Sequence, residues 1–121
     1  MIHFNIFNSC SSDNLPELKE LLEPYPGYAL QEVKIEYNPS NGLPDQGKNW
    51  LWPFKAYFRS PIGTTLLVRI FSLTAGYHGS GPADLIQILR YLNVDFDESD
   101  ILTKKAVCDD GFIRLTLFPI K

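Results

Sequence analysis

TTLLVRIFSLTAGYHGSGPADLIQILRYLN, residues 64–93, is the stretch on which the fold turns. Its first part, Thr64 to Ser72, is rich in β-branched and large apolar side chains, which suit a strand. Leu66, Val68 and Ile70 share one side, and Leu67 and Phe71 share the other with Arg69. Apolar residues on both sides predict a central strand covered on two faces. Ser60-Pro61-Ile62-Gly63 ahead of it reads as a turn, because Pro presets φ and Gly tolerates positive φ. A hairpin with the preceding run follows. The last part carries Leu85, Ile88, Leu89 and Leu92 at helical spacing, with Asp84, Gln87, Arg90 and Asn93 mostly elsewhere on the wheel. This predicts an amphipathic helix packed on the sheet. Pro82 keeps Gly81 out of the α region, which predicts Gly81 as N-cap, Pro82 as first helical residue and Asp84 in the first turn.

Working outward, Ile2 to Phe7 alternates apolar Ile2, Phe4 and Ile6 with His3 and Asn5, as a strand does. Asp13 or Asn14 caps a helix expected from Leu15 to Glu23, with Leu15, Leu18, Leu21 and Leu22 inward and Glu17, Lys19, Glu20 and Glu23 wet. Ala29 to Tyr37 is a half-exposed antiparallel strand, with Val33, Ile35 and Tyr37 inward and Glu32, Lys34 and Glu36 outward. Residues 38–49 have no periodicity, and a loop of that length in a small domain is more often functional or mobile than incidental. It leads through Trp50-Leu51-Trp52-Pro53-Phe54 into the first arm of the hairpin, where Pro53 predicts an edge or a bulge. After the central helix, Asp95 to Asp100 opens a short helix expected to end near Lys104-Lys105, its charges matching the helix dipole. Asp109-Asp110-Gly111 is a turn, and Phe112 to Phe118 a last strand. The order β-α-β-β-β-α-α-β predicts a single α+β domain over residues 1–121. It combines a mostly antiparallel sheet of about five strands with two to three helices packed against it.

Composition narrows the function. The 121 residues are 45% hydrophobic, 21% charged and 13% aromatic, a globular composition. A net charge of −3 argues against a general nucleic-acid binder, which needs a basic face, and is compatible with a basic protein partner. No apolar run approaches the ~20 residues of a membrane span. The start MIHFNIFN lacks the features of a signal peptide, so the cytoplasm is the expected compartment. Cys10 and Cys108 have no metal or redox spacing.

Motifs that carry chemistry are sparse. The Gly76-Tyr77-His78-Gly79-Ser80-Gly81-Pro82 turn suggests an anion cradle at a helix start. However, Pro82 removes a donor, Asp84 brings negative charge, and no Lys or Arg follows as in a phosphate loop. Asp95, Asp97 and Ser99 open like a calcium loop, but the sixth position is Asp100 rather than Gly and the twelfth is Ala106 rather than Glu. No metal and no cofactor are expected. His78 with a cysteine leaves a small hydrolase as a further alternative, without a local signature around either thiol. What remains is aromatic. Trp50 and Trp52 border the long loop, and Tyr77 lies beside His78 in the glycine turn. Together with Asp45 and with Glu17 and Glu20 of the first helix, they are the candidate contacts of an acidic patch anchored by aromatic rings.

The turn from Gly76 to Pro82, followed by Leu85, Ile88, Leu89 and Leu92, resembles the turn-plus-helix of small bacterial immunity proteins. The resemblance spans Gly76 to about Leu92. It implies a non-catalytic partner of a toxin, often a nuclease, that acts by binding and covering it. The expectation is therefore a protein-binding module for a basic toxin domain, with an anion- or small-molecule-binding domain as the alternative.

Overall fold

The structure, a computed structural model, describes residues 1–8, 10–37, 53–73, 79–103 and 113–120. Six strands form a mixed sheet: β1 (Ile2–Ile6), β2 (Ala29–Tyr37), β3 (Phe54–Arg59), β4 (Thr65–Ile70), β5 (Val94–Asp95) and β6 (Ile113–Pro119). Their spatial order is β1-β4-β3-β2-β6-β5. Among the described strands only β1 and β4 pair in parallel; the other neighbours are antiparallel. Three helices, α1 (Asn14–Leu22), α2 (Ser80–Tyr91) and α3 (Glu98–Leu102), complete an α+β domain. Among the described residues no helix is long and apolar enough to cross a membrane.

Strand alternation decides which side of the sheet is dry. Phe4↔Val68, Val68↔Ala56, Ala56↔Val33 and Val33↔Leu117 form one continuous row from β1 to β6. That face joins Leu18 of α1, Leu85, Ile88 and Leu89 of α2 and Ile101 of α3 in a single core cluster. Each such side chain contributes about 1.5–3 kcal/mol on leaving water. All three helices therefore lie on one face. β4 is an interior strand between β1 and β3, with the helices against one of its faces rather than both, and Leu66, Val68 and Ile70 are fully buried. Leu67 is buried too, yet lies outside that cluster, on the opposite face between His3 and Tyr57.

Several local expectations give way to backbone detail. α2 begins at Ser80, with Gly79 as N-cap in extended conformation, so Gly81 and Pro82 lie inside the first turn and Asp84 beyond it. Pro82 is tolerated there because the first four helical N–H groups have no intrahelical acceptor. α1 starts one residue early, at Asn14, behind a 3-10 turn over Ser11–Asp13. β3 is interior despite Pro53: its ladder with β4 opens only at Phe54, and the Pro53 carbonyl accepts the Glu36 N–H at 3.1 Å. A bulge at Gln31 in β2 lets Leu30 and Val33 both face the core. Gly63 does take positive φ, at 89°, and closes the β3–β4 turn. Asn93, at φ 57°, ends α2 in the left-handed conformation and turns the chain straight into β5.

One buried polar group ties these elements together. Asn14 is 0% exposed; its Nδ2 donates to the Ser72 carbonyl at 3.3 Å and to Ser72 Oγ at 3.1 Å. Its Oδ1 accepts from Asn8 Nδ2 at 3.0 Å, and Ser11 Oγ donates to Asp84. The exits of β1 and β4, the first turn of α1 and, through Asp84, the second turn of α2 meet here. Truncating Asn14 strands its partners, and a buried polar atom left unpaired costs about 1–3 kcal/mol. Asn14→Ala should lower the unfolding free energy read from urea titration by that amount, seen as a lower midpoint with an unchanged slope; an unaltered midpoint would show that the junction is not holding the helices.

Candidate functional site

With the helices on one side of the sheet, the domain has two unlike surfaces. On the helical side, Glu17, Glu20 and Glu23 along and just past α1 are exposed, as are Asp97 and Glu98 at the start of α3. Only Lys19 and Arg90 oppose them among the described basic residues of that side. Lys19 reaches across to α2, its Nζ 5.2 Å from the centroid of the Tyr91 ring, and Arg90 pairs with Glu98. Tyr91 itself is 43% exposed on the outer stripe of α2. A tyrosine held by a cation–π contact worth about 0.5–1 kcal/mol is already partly ordered before any partner arrives. Carboxylates around an ordered aromatic ring are the ingredients of a binding hot spot for a positively charged surface.

The opposite face of the sheet carries the reverse charge. Asn5, Arg69, Lys55, Lys34 and Thr116 stand in one row across β1, β4, β3, β2 and β6. Three adjacent strands thus place cations side by side, about 5 Å apart at the usual strand spacing. Arg69 Nε donates to Asn5 Oδ1 at 2.8 Å, and Lys34 Nζ lies 5.8 Å from the Tyr57 ring centroid. Glu32 and Glu36 flank Lys34 along its strand, and Glu36 approaches Arg114 at 3.8 Å. Exposed Phe7 and Phe118 stand near the two margins of this face, and Phe7 packs against Phe71 at 5.9 Å.

Of the residues singled out from the sequence, Glu17 and Glu20 lie on the exposed side of α1. Glu17 accepts from Asn8 Nδ2 at 2.6 Å, and Glu20 projects from the side of the helix opposite buried Leu18. Asp45, Trp50, Trp52, Tyr77 and His78 lie outside the described residues, as does Cys108. Tyr91 was not singled out. Its signal was available: Asp84, Gln87 and Tyr91 form the polar stripe of α2, where a large ring has no packing reason to be. The cation row was hidden because it exists only once β2, β3 and β4 are set in register.

The hydrolase alternative, His78 with a cysteine, falls on residues outside those described, as does the first part of the Gly76–Pro82 turn. Cys10 is exposed beyond the carboxyl end of β1, 2.9 Å from Ser12 Oγ, while His3 sits near the amino end of that strand. Asp84 and Glu17 at the junction beside the start of α2 bring negative charge where an anion would need the reverse. Among the described residues no group of three His, Cys, Asp or Glu is placed to hold a metal ion. The depression at the β5–β6 corner is lined by Asp95, Thr116, Phe118 and Pro119, without a basic group. No family model, no curated protein and no solved structure matches the chain.

Like charges directly opposite in a sheet are destabilising. Lys55 has two such neighbours. Lys55→Glu should therefore raise the thermal midpoint by turning both contacts attractive, whereas Lys55→Ala should raise it less. A fall in midpoint for Lys55→Glu would mean that the lysine is matched by a carboxylate elsewhere.

Proposed function

We propose that this protein is a non-catalytic binding module whose helical surface recognises a basic protein. The most concrete form is an immunity protein that covers a toxin domain in the cytoplasm of a bacterium. One observation carries the reading: exposed carboxylates of α1 and α3 lie on either side of α2, whose outer stripe presents Tyr91. Charges of one sign steer a complementary partner to the surface and raise the association rate. A central ring then supplies the contact that slows release. Asp45, Trp50, Trp52, Tyr77 and His78, outside the described residues, are further contacts of this reading.

Affinity capture of the tagged protein, with mass spectrometry of what co-purifies, tests this. The expected result is one stoichiometric basic protein that arrests growth when expressed alone and is silent when co-expressed with this chain. Against that partner, Tyr91→Ala should weaken binding tenfold or more, mostly through faster dissociation. Glu20→Lys should slow association and flatten its salt dependence. A partner that binds both variants as well as the parent would place the contact elsewhere. Recovery of a small molecule and no protein would favour the ligand-binding alternative.

A further inference from the structure

Phe118 and Ile120, on either side of Pro119, are 57% and 54% exposed. Scattered apolar side chains on a surface are ordinary, whereas contiguous apolar surface marks an interaction site. The sheet itself opens beside them. β2 and β6 are laddered from Tyr37↔Ile113 to Val33↔Leu117. Past that point β2 bulges at Gln31, and Phe118 and Pro119 pair with Asp95 and Val94 of β5. The parting strands leave a cleft lined by Leu30, Gln31, Phe118, Pro119 and Ile120. Ile120 also borders the two neighbouring depressions, toward Asp95 and toward Phe96. We propose that this cleft takes Ile120 of a second copy of this chain and gives its own Ile120 in return, so that the protein forms a two-fold dimer across the end of β6.

Three observations select that occupant. No charged side chain lines the cleft, so neither the cations of a basic partner nor a lipid headgroup finds a counter-charge in it. Its walls are aliphatic and aromatic with one amide, which suits a branched apolar side chain. The chain carries such a side chain, exposed, at the lip of the cleft itself, and a projection beside a recess is self-complementary under a two-fold axis. Beyond Ile120 stand Arg90, Asp95 and Glu98, charges of both signs, as suits a surface that meets its own copy. Tyr37 and Ile113, which lead into residues outside those described, pair about 17 Å along β6 from Phe118. Five lining residues are few beside the roughly 20–30 a side of a standard interface, so the dimer is weak and dissociates on dilution. A copy that is joined has used its cleft, and growth stops at two. The partner reading does not use this cleft, and the inference stands whether or not that reading does.

Sedimentation velocity of the full chain over a concentration series is the test. The parent should pass from monomer to dimer as concentration rises and should form nothing larger. Added salt should leave the dimer intact, because apolar contact is not screened. Ile120→Asp and, independently, Phe118→Ser should each weaken the dimer about tenfold or more, with circular dichroism and melting confirming that they are folded. Ile62→Ser removes a side chain 89% exposed at the β3–β4 turn, away from β6, and should leave the dimer unchanged. A parent that stays monomeric at every concentration overturns the proposal. So do assemblies beyond a dimer, a dimer that salt dissolves, one that either folded variant leaves intact, or one that Ile62→Ser weakens as much as they do.

Discussion

β1 and β4 run in the same direction, and much of the architecture follows from that. Two parallel neighbours cannot be joined by a tight turn, so the chain between them makes α1 and the β2–β3 ribbon before returning. Their carboxyl ends then lie side by side, and each leads into a helix. α1 and α2 start close together at that end, where the Asn14 side chain is fully buried. Asn14 solves the resulting problem, because an amide both donates and accepts and so meets Ser72 on one side and Asn8 on the other. An apolar residue of similar size would leave the Ser72 carbonyl without this donor. A carboxylate there would be buried at a desolvation cost and would add to the negative charge of Asp84 and Glu17.

The same topology segregates charge. With the helices on one face, the other face of the sheet is left to polar and aromatic side chains, and it carries most of the described lysines and arginines. The helical side carries most of the carboxylates. Single surface ion pairs such as Arg90–Glu98 contribute about 0–1 kcal/mol and do not explain the separation. Nor does stability, since setting Arg69, Lys55 and Lys34 side by side works against folding. A net charge of −3 conceals two faces of opposite sign.

What could be read from the chain beforehand depended on whether a signal was local. β2 and β4 announce themselves by alternation and by an unbroken apolar run, and α2 by Leu85, Ile88, Leu89 and Leu92. The Ser60–Gly63 turn follows from the conformational rules of Pro and Gly. The start of α2 was misjudged because Pro82 is equally at home at the first or third helical position; only tertiary packing chose the third. β5 is two residues long, too short for any period, and exists because Asn93 turns the chain against Pro119. Pro53 predicts an edge or a bulge at the start of β3, but β3 is interior and the proline stands just outside its ladder. The parallel pairing of β1 with β4 has no local signature at all. Of the candidate contacts, Glu17 and Glu20 were legible from the wet face of α1. Tyr91 was overlooked beside the more conspicuous tryptophans, and the cation row depended on register.

Charge and ring have separate tasks on the helical surface. Carboxylates act over several ångströms in water and bring a basic surface into place, but much of their attraction is lost to screening and to solvation. An ordered ring acts only on contact, and there its buried area counts nearly in full. Tyr91 has Lys19 against its face, so it loses less freedom on binding than a solvated tyrosine would, and that saving goes directly into affinity. The same Lys19 places a positive charge at the middle of an otherwise acidic surface. An incoming basic group would therefore meet Glu20 or Glu98 beside the ring rather than the ring itself. A surface arranged in this way favours a partner with cations around an apolar centre over a uniformly basic one.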